Sequence, residues 1–317
     1  MGLMSDLNLV VMRAAYPVVL FCYNRPDHLK QTLAALVQNE GSDETLVYVF
    51  SDGPKTAADV AKVIAVREML AQVVGFKEFN IVEQPTNKGL ANSVIEGVSS
   101  VLQQHAACIV LEDDLLTSPF FLRYMNEALR FYEDDQRIFS VSGYCPPLGL
   151  PADYSLPSFL FPRINSWGWG TWRDRWKEVD WKVGDFFDFI GNKVQRRLLS
   201  QQGADLPVML LKQQEGHLSS WAIRFNQACF RSGRTNVYPV RSLVANIGAD
   251  GSGRHMKVSA KFRSPMSPSY LSPFPAEENQ ELALLFRRFY RPSWHRRLRN
   301  RFKILCFLWI KGRRKHV

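Results

Sequence analysis

The chain has few cysteines, and their placement excludes two common classes of protein. Its 317 residues contain five cysteines, an odd number without any C-x-x-C spacing. Such scattered cysteines argue against a disulfide framework and against a zinc cluster, and they favour a reducing, cytoplasmic setting. Hydrophobic residues make up 46% of the chain, enough to bury the core of one large domain or two small ones. A disordered or fibrous protein is therefore excluded.

Long hydrophobic runs are also missing. No stretch of the sequence reaches the roughly 20 apolar residues that a membrane-spanning helix needs. The first 25 residues lack the basic start, continuous apolar run and cleavage site of a secretory signal. The sequence therefore predicts that the body of the protein is soluble.

Acidic residues are absent from the end of the chain, and this absence locates the net charge. Twelve of the 40 Lys and Arg residues lie in the tail over 282–317, so the preceding residues hold 28 basic against 30 acidic side chains. The net charge of +10 thus belongs to the tail. Its basic residues flank an apolar run at 304–310, which is too short to cross a bilayer but suits a helix lying in an anionic lipid interface.

A basic tail can also bind nucleic acid or pack against the protein itself. The body of the chain does not interleave basic and aromatic residues, so a membrane partner is preferred and no nucleic acid is expected. A basic helix that only packs against the body of the protein stays a possibility.

Apolar segments alternate with helical patterns between residues 16 and 114. Strands are predicted at 17–23, 45–51, 80–83 and 108–111. Helices are predicted between them at 26–38, 57–74 and 88–105. This βαβαβαβ order is typical of a parallel sheet covered by helices, so the predicted fold class is α/β, an αβα sandwich with a mostly parallel central sheet.

The regular pattern is lost towards the C-terminus. We predict one α/β domain over 1–260, a Pro/Ser-rich linker over 261–281 and the basic amphipathic helical tail over 282–317. Under this division, removing the chain after about residue 280 is expected to leave a folded domain that no longer binds anionic vesicles.

The strand predicted at 108–111 stops at three consecutive carboxylates, Glu112, Asp113 and Asp114. Open α/β sheets bind ligands at the carboxyl ends of their strands, so these acids are expected at a binding crevice. Adjacent like charges repel one another, and Mn²⁺ or Mg²⁺ together with a diphosphate relieves that repulsion. Taken alone, the triplet is also typical of a solvated acidic turn.

Polar residues follow other predicted strands at the same edge. Asn24 and Arg25 follow the first strand, and Asp52 follows the second. Asp52 can accept a hydrogen bond from the imide N–H of a base, and Arg25 can donate to a carbonyl or a phosphate. Lys88 and Asn92 lie where the third helix starts, a place that suits a phosphate or a ribose. All five are candidates for nucleotide binding.

Three tryptophans are concentrated among small residues at 167–172, with Trp169 at the centre. An aromatic ring with close backbone approach suits a sugar or nucleotide, so Trp169 is a further candidate for donor binding. Large aromatic residues also pack commonly in protein cores.

Taken in order, these segments resemble a glycosyltransferase of the GT-A fold, of the bacterial family 2 type and related to N-acetylglucosaminyltransferase I. The resemblance covers about residues 16–257. The motifs that carry it are Tyr23-Asn24-Arg25-Pro26, Ser51-Asp52-Gly53, Asn87-Lys88-Gly89-Leu90, Glu112-Asp113-Asp114, Trp167-Gly168-Trp169-Gly170, Ser220-Trp221-Ala222-Ile223-Arg224 and the stretch from Asn246 to His255.

The resemblance implies a Rossmann-like fold and a nucleoside-diphosphate sugar as donor, usually a UDP-sugar, bound with Mn²⁺ or Mg²⁺. Asp114 would be the principal metal ligand with Asp113 beside it, while Glu112 and Asp113 would face the donor sugar and ribose. His255 would contact the diphosphate or the cation. The cation would act as a Lewis acid that stabilises the charge of the leaving diphosphate.

The acceptor hydroxyl also needs a base. Related inverting enzymes place an aspartate one or two residues before the tryptophan that matches Trp221. Those positions here are Ser219 and Ser220, and a neutral hydroxyl is a poor base. Glu215 is therefore the first candidate for the base and His217 the second, with inversion as the expected outcome and a weak activity or a different stereochemistry left open.

Three functions remain in competition. The leading hypothesis is a peripheral glycosyltransferase at the inner face of the cell membrane, which extends a surface glycan on a lipid-linked or lipopolysaccharide acceptor. A sugar-phosphate nucleotidyltransferase is disfavoured because residues 24–27 lack the glycine-rich loop of such enzymes. A non-catalytic carbohydrate-binding or membrane-binding protein would be consistent with the missing aspartate before Trp221.

Overall fold

The computed structural model describes residues 14–151, 153–251 and 260–314. Within these ranges the chain forms eleven β-strands and eleven α-helices. The strands are β1 Val18–Cys22, β2 Leu46–Ser51, β3 Glu78–Glu83, β4 Ala107–Glu112, β5 Leu115–Thr117, β6 Ile138–Ser142, β7 Ser158–Phe161, β8 Trp169–Trp172, β9 Thr235–Pro239, β10 Val244–Asn246 and β11 Ala276–Glu278. The helices are α1 Pro26–Val37, α2 Val60–Leu70, α3 Leu90–Gln104, α4 Phe121–Phe131, α5 Arg173–Lys177, α6 Phe186–Gly191, α7 Lys193–Gln202, α8 Leu206–Gln214, α9 Trp221–Ser232, α10 Gln280–Phe289 and α11 Trp294–Arg314.

Nine of the strands form one mixed sheet in the order β11-β7-β9-β6-β8-β4-β1-β2-β3. The pairs β3-β2, β2-β1 and β1-β4 are parallel, and β8 lies antiparallel between β4 and β6. Since β9 also runs parallel to β6, the carboxyl ends of six strands meet at one edge. The predicted α/β fold with a mostly parallel central sheet is confirmed.

Strand β1 lies at the centre of this arrangement because it is apolar on both faces. All five of its residues are buried. Val18 and Leu20 pack into a core that includes Leu29 of α1 and Val66 of α2. The opposite face of the strand packs with α3. A strand covered on both faces is the expected form of a continuous apolar run, and it fixes the edge at which the following loop emerges.

The second half of the sheet joins strands that lie far apart in the chain. Strand β8 carries the Trp-rich segment and pairs with β4, so that Val110 lies opposite Trp169. Its antiparallel direction depends on a partner strand far away in the chain. A short apolar run does not indicate whether its strand pairs in a parallel or an antiparallel direction.

The segments on either side of the predicted boundary at residue 260 share one sheet and one core. The segment that was expected to be a linker contains β11, which pairs in parallel with β7 at the edge of the main sheet. Helix α10 follows, and its Leu282 and Phe286 are buried in a core shared with β7 and β9. The chain therefore continues into the same sheet and core beyond residue 260. The expectation that removal after about residue 280 leaves a folded domain stays a prediction.

Helix α11 forms the basic tail and also packs on the body. It contacts α6 and α8, where Ile304, Phe307 and Leu308 cover an apolar cluster. Within the residues that the structure describes, α11 and the other helices all fall short of the length and apolar character that crossing a membrane requires.

The integration of α10 into the core is testable by a matched pair of substitutions. We expect Phe286→Ala to lower the free energy of unfolding by about 3–5 kcal/mol, because it empties a fully buried aromatic site. Leu284→Ala on the exposed side of the same helix should change it by about 0.5 kcal/mol or less. Urea denaturation measures both values, and equal effects would contradict a core role for α10.

Candidate active site

The acid triplet lies at the carboxyl edge of the sheet. Glu112 ends β4 and is opposite Phe21 of β1 in the strand register. The next residue, Asp113, is held by β1 and α1: the backbone N–H of Tyr23 donates to Asp113 Oδ2 at 3.3 Å, and the Thr32 hydroxyl donates to the Asp113 carbonyl at 2.8 Å. The triplet is therefore fixed to the elements beside it and is not a solvated turn.

One guanidinium balances two of the three carboxylates. Arg25, which follows β1, forms an ion pair with Asp113 Oδ1 and a second with Asp114 Oδ2 at 2.9 Å. Desolvation by itself would lower the pKa of Arg25, but the two aspartates outweigh it and raise that pKa. Because leaving a buried carboxylate without its partner costs several kcal/mol, Arg25 stabilises the triplet in this conformation.

The carboxyl groups of the triplet lie in an environment that disfavours their charged forms. Burial raises the pKa of Glu112, and the neighbouring charges of Asp114 and Asp113 raise it further. Burial likewise raises the pKa of Asp113, to about 6, although Arg25 acts in the opposite direction. Carboxylates whose pKa values are raised in this way are typical of sites that bind a cation or exchange a proton.

Two residues of the Asn246–His255 motif lie beside Asp114, although the sequence did not predict them as site residues. Asn246 Nδ2 donates to Asp114 Oδ1 at 3.2 Å. A Cβ added to Gly248 would lie 2.1 Å from Asp114 Oδ2, so a side chain at this position would displace the Asp114 carboxylate. The antiparallel pairing of β10 with β5 brings Asn246 and Gly248 close to Asp114, because it places Asn246 opposite Leu115. The Asn-Ile-Gly sequence is a turn signal, but only the strand pairing shows what it faces.

The loop after Gly248 is also attached to the first helix. His28 Nε2 of α1 lies 3.1 Å from Asp250 Oδ2. The loop therefore lies across the start of α1, next to the Arg25 ion pairs. His255, the predicted diphosphate contact, lies outside the described residues.

Asp52 is buried and accepts four hydrogen bonds from the protein. Its donors are the backbone N–H groups of Gly53, Lys88 and Gly89 and the amide of Asn87, at 2.8–3.0 Å. The carboxylate therefore joins the end of β2 to the loop that precedes α3. In this conformation Asp52 positions that loop, and its predicted contact with a base stays a prediction.

Three other predicted nucleotide ligands have their side chains engaged by protein groups. Asn24 Nδ2 donates to Asp59 Oδ1 at 2.7 Å, and the Lys88 ammonium pairs with Glu96 at 2.5 Å. Asn92 Nδ2 donates to the Lys88 carbonyl at 3.1 Å. Both Lys88 and Asp52 line one end of a groove of about 420 Å³ between α3 and the face of β2 and β3. Their roles toward a nucleotide stay predictions.

Trp169 lies in the core. Its ring is 1% exposed and stacks on Trp221, with the ring centroids 4.7 Å apart, and on Trp176 at 5.8 Å. These contacts connect β8 with the start of α9. The described position of Trp169 is that of a core residue, and no ring face is available to a sugar in this conformation; its predicted role in donor binding stays untested.

The two candidates for the base lie together in the turn after α8. Glu215 and His217 are exposed, and Glu215 Oε2 lies 3.6 Å from His217 Nδ1. Among the described residues, no hydrogen bond or ion pair connects them to the acid triplet. Ser220, at a position where related enzymes have an aspartate, caps α9 by accepting a hydrogen bond from the Ile223 N–H at 3.4 Å. The serine therefore has a structural role that its sequence position alone did not indicate.

The donor set at the acid triplet fits a divalent cation that shares its coordination with a phosphate ligand. Within the described ranges, no three acidic, His or Cys side chains are arranged to hold a metal ion by themselves. Cations such as Mg²⁺ are commonly bound by one or two protein carboxylates together with the oxygens of a substrate phosphate. Asp114, with Asp113 beside it, provides that number of carboxylates.

The protein is thus an α/β protein with paired aspartates at the carboxyl ends of its central strands. The sequence matches the family model described as glycosyl transferase family 2 over residues 18–188. The match extends over more than half of the chain and includes β1 to β4, Arg25 and the acid triplet. The chain therefore belongs to glycosyltransferase family 2.

Solved structures with a similar fold include other proteins named as transferases or bound to nucleotide sugars. S. aureus TarS 1–349 has a TM-score of 0.41 and 12% identity, with 74% of this chain and 61% of that chain covered. Its complex with UDP-GlcNAc has a TM-score of 0.40 and 12% identity, covering 73% and 57%. Mannosyltransferase PcManGT from Pyrobaculum calidifontis, in complex with GDP-Man and Mn²⁺, has a TM-score of 0.37 and 15% identity, covering 51% and 46%. The chain thus spans about three fifths of the TarS fragment, and similarities this low carry no argument about donor or metal.

A substitution can test whether the Asp52 carboxylate holds the loop before α3. We expect Asp52→Asn to lower the free energy of unfolding by about 2–3 kcal/mol, because an amide replaces a buried carboxylate that accepts four hydrogen bonds. Urea denaturation is the measurement. The exposed Asp43→Asn is the control and should shift the value by about 0.5 kcal/mol or less; an Asp52 variant as stable as this control would show that the loop is held in another way.

Proposed function

We propose that the chain transfers a sugar from a nucleoside-diphosphate sugar, most often a UDP-sugar, to an acceptor hydroxyl with the help of Mn²⁺ or Mg²⁺. The observation that carries the proposal is the pair Asp113 and Asp114, held by Arg25 at the carboxyl edge of a parallel sheet inside the family match. This combination of two acids and one strong cation is suited to a diphosphate and its counter-ion.

The side chains at the triplet have distinct roles in this proposal. Asp114, with Asp113 beside it, would hold a divalent cation, which when bound would stabilise the charge on the departing diphosphate. Arg25 already pairs with both aspartates, and its side chain is 20% exposed. Its guanidinium could therefore donate to a diphosphate oxygen once the aspartates have another cation. Glu112, at the same edge, would accept hydrogen bonds from the donor sugar.

Glu215 is the proposed base, with His217 as its partner. A carboxylate next to an imidazole can take the proton of the acceptor hydroxyl as that hydroxyl attacks the donor on the face opposite the leaving group, which inverts the configuration. Because both side chains are exposed, the acceptor itself would have to cover them. The serines before Trp221 leave this role to residues earlier in the chain.

The proposed acceptor is a surface glycan or a lipid-linked precursor of one, at the inner face of the cell membrane. The basic helix α11 supports this location, since an enzyme held at the surface that carries its acceptor meets that acceptor at a raised effective concentration. All five cysteines are free, in agreement with a cytoplasmic location. The finer relation to N-acetylglucosaminyltransferase I belongs to the same proposal.

The first experiment compares nucleotide release from a panel of nucleoside-diphosphate sugars, with Mn²⁺ and candidate acceptors present. We expect Asp114→Asn to reduce metal-dependent release by about 10²-fold or more, because the cation loses its main carboxylate. Binding of Mn²⁺ in the presence of the nucleotide, followed by electron paramagnetic resonance, should weaken in parallel. The exposed Asp134→Asn should match the unmodified protein in both measurements.

The same panel distinguishes the competing functions. Release of pyrophosphate from a nucleoside triphosphate and a sugar 1-phosphate would establish the nucleotidyltransferase instead. Binding of glycans without nucleotide release from any donor would favour the non-catalytic carbohydrate-binding protein. An Asp114→Asn variant with full activity would remove the metal role from the triplet.

The proposed base is tested by Glu215→Gln. We expect kcat to fall by about 10²–10⁴-fold, the usual contribution of a general base. The KM for the donor should stay the same, because the proposed base acts on the acceptor hydroxyl. Steady-state kinetics of acceptor glycosylation provide both numbers. Glu68→Gln, an exposed position on α2, is the matched control; an unchanged kcat in Glu215→Gln would assign the base to another group.

A further inference from the structure

Helix α11 has an apolar face that points away from the protein. The members of this outer face recur every three or four residues along the helix, which places them on one side of it. They are Trp294, Leu298, Phe302, Leu305 and Trp309, and each is between 55% and 67% exposed. Five large apolar side chains at this exposure form a continuous patch of the kind that marks an interaction surface.

The outer face is distinct from the face that attaches α11 to the protein. Ile304, Phe307 and Leu308 pack on the cluster formed by α6, α7 and α8, and Phe307 stacks on Phe187 of α6 with the ring centroids 6.3 Å apart. Packing on the body therefore accounts for one side of the helix. The residues of the outer face remain more than half exposed, among them Phe302 and Leu305.

The charges beside the outer face have one sign. The exposed Arg299, Arg301 and Lys303 alternate with its apolar residues along the helix, and the chain has no acidic residue after Glu281. Their field also acts on the body: burial lowers the pKa of Lys212 on α8, and the positive charges of Lys303, Arg296 and Arg299 lower it further. The described side chains beside the outer face are thus positively charged.

We propose that the outer face of α11 is a lipid-contacting surface whose partner is an anionic bilayer interface. Tryptophan and phenylalanine side chains partition into the interface, and the arginines and lysine beside them pair with anionic headgroups. The helix lies in the plane of the membrane, because its charge prevents it from crossing. A positively charged partner would repel the basic side chains, and a purely apolar partner would leave them without an anionic group to pair with.

The packing of α11 on α8 relates the proposed membrane contact to the region of Glu215. The helix is held to α8 by its inner face, and α8 ends directly before Glu215. The membrane contact is therefore made by a helix packed on the body and not by a free tail. Binding of the outer face would fix the orientation of α8 relative to the lipid surface.

The test is co-sedimentation of the full chain with vesicles of phosphatidylcholine alone and with added phosphatidylglycerol. We expect tight binding only to the anionic vesicles, and a decrease of about tenfold or more when Phe302→Ser and Trp309→Ser are combined. The matched control combines Val60→Ser and Ile64→Ser, two exposed apolar residues one turn apart on α2, and should bind as the unmodified protein does. Replacement of Arg299 and Lys303 by Gln should weaken binding and reduce its sensitivity to salt.

Each outcome decides the proposal. Undiminished vesicle binding by the outer-face double variant would overturn it, as would equal binding to neutral and anionic vesicles. If the double variant instead converts a dimer of the full chain into a monomer in sedimentation velocity and leaves vesicle binding unchanged, the outer face is a contact between two copies. The vesicle assay contains no donor or acceptor, so its result does not depend on the proposed sugar transfer.

Discussion

The charge balance at the end of β4 is the constraint on which the site depends. Asp113 and Asp114 are buried beside Glu112, and Arg25 is the cation that pairs with both aspartates. The parallel register of β1 and β4 brings these groups together, because Arg25 leaves one strand where the triplet leaves the other. A buried carboxylate pair without such a cation would cost several kcal/mol, so the loop after β1 and the acids form one unit.

The second half of the sheet packs beside this unit. Strand β8 lies beside β4, and the stack of Trp169 on Trp221 attaches the start of α9 to it. The antiparallel pairing of β5 with β10 brings Gly248 against Asp114. Aromatic packing and strand pairing therefore place the later segments around acids that the first half of the chain provides.

The C-terminal region connects the same core to the surface. Helix α10 contributes Leu282 and Phe286 to a core under β7 and β9, and α11 then crosses α6 and α8 with its inner face. Helix α11 is therefore apolar on two sides: one side packs on the body and the other is exposed. The attachment of α11 to α8 connects the proposed membrane contact to the region of Glu215.

The sequence by itself determined the alternation from β1 to β4, the position of the acid triplet at a strand end and the charge of the tail, because burial patterns, strand termini and charge are local properties of the chain. Only the tertiary structure decided which partners the polar groups take. Asn246 meets Asp114 across 132 positions, and Asp52 uses its carboxylate on a loop about 35 residues away. The burial of Trp169, the N-cap role of Ser220 and the place of α10 in the core likewise depend on contacts between distant segments. No local pattern records such contacts, since the free energy that selects them comes from packing and desolvation of the whole fold.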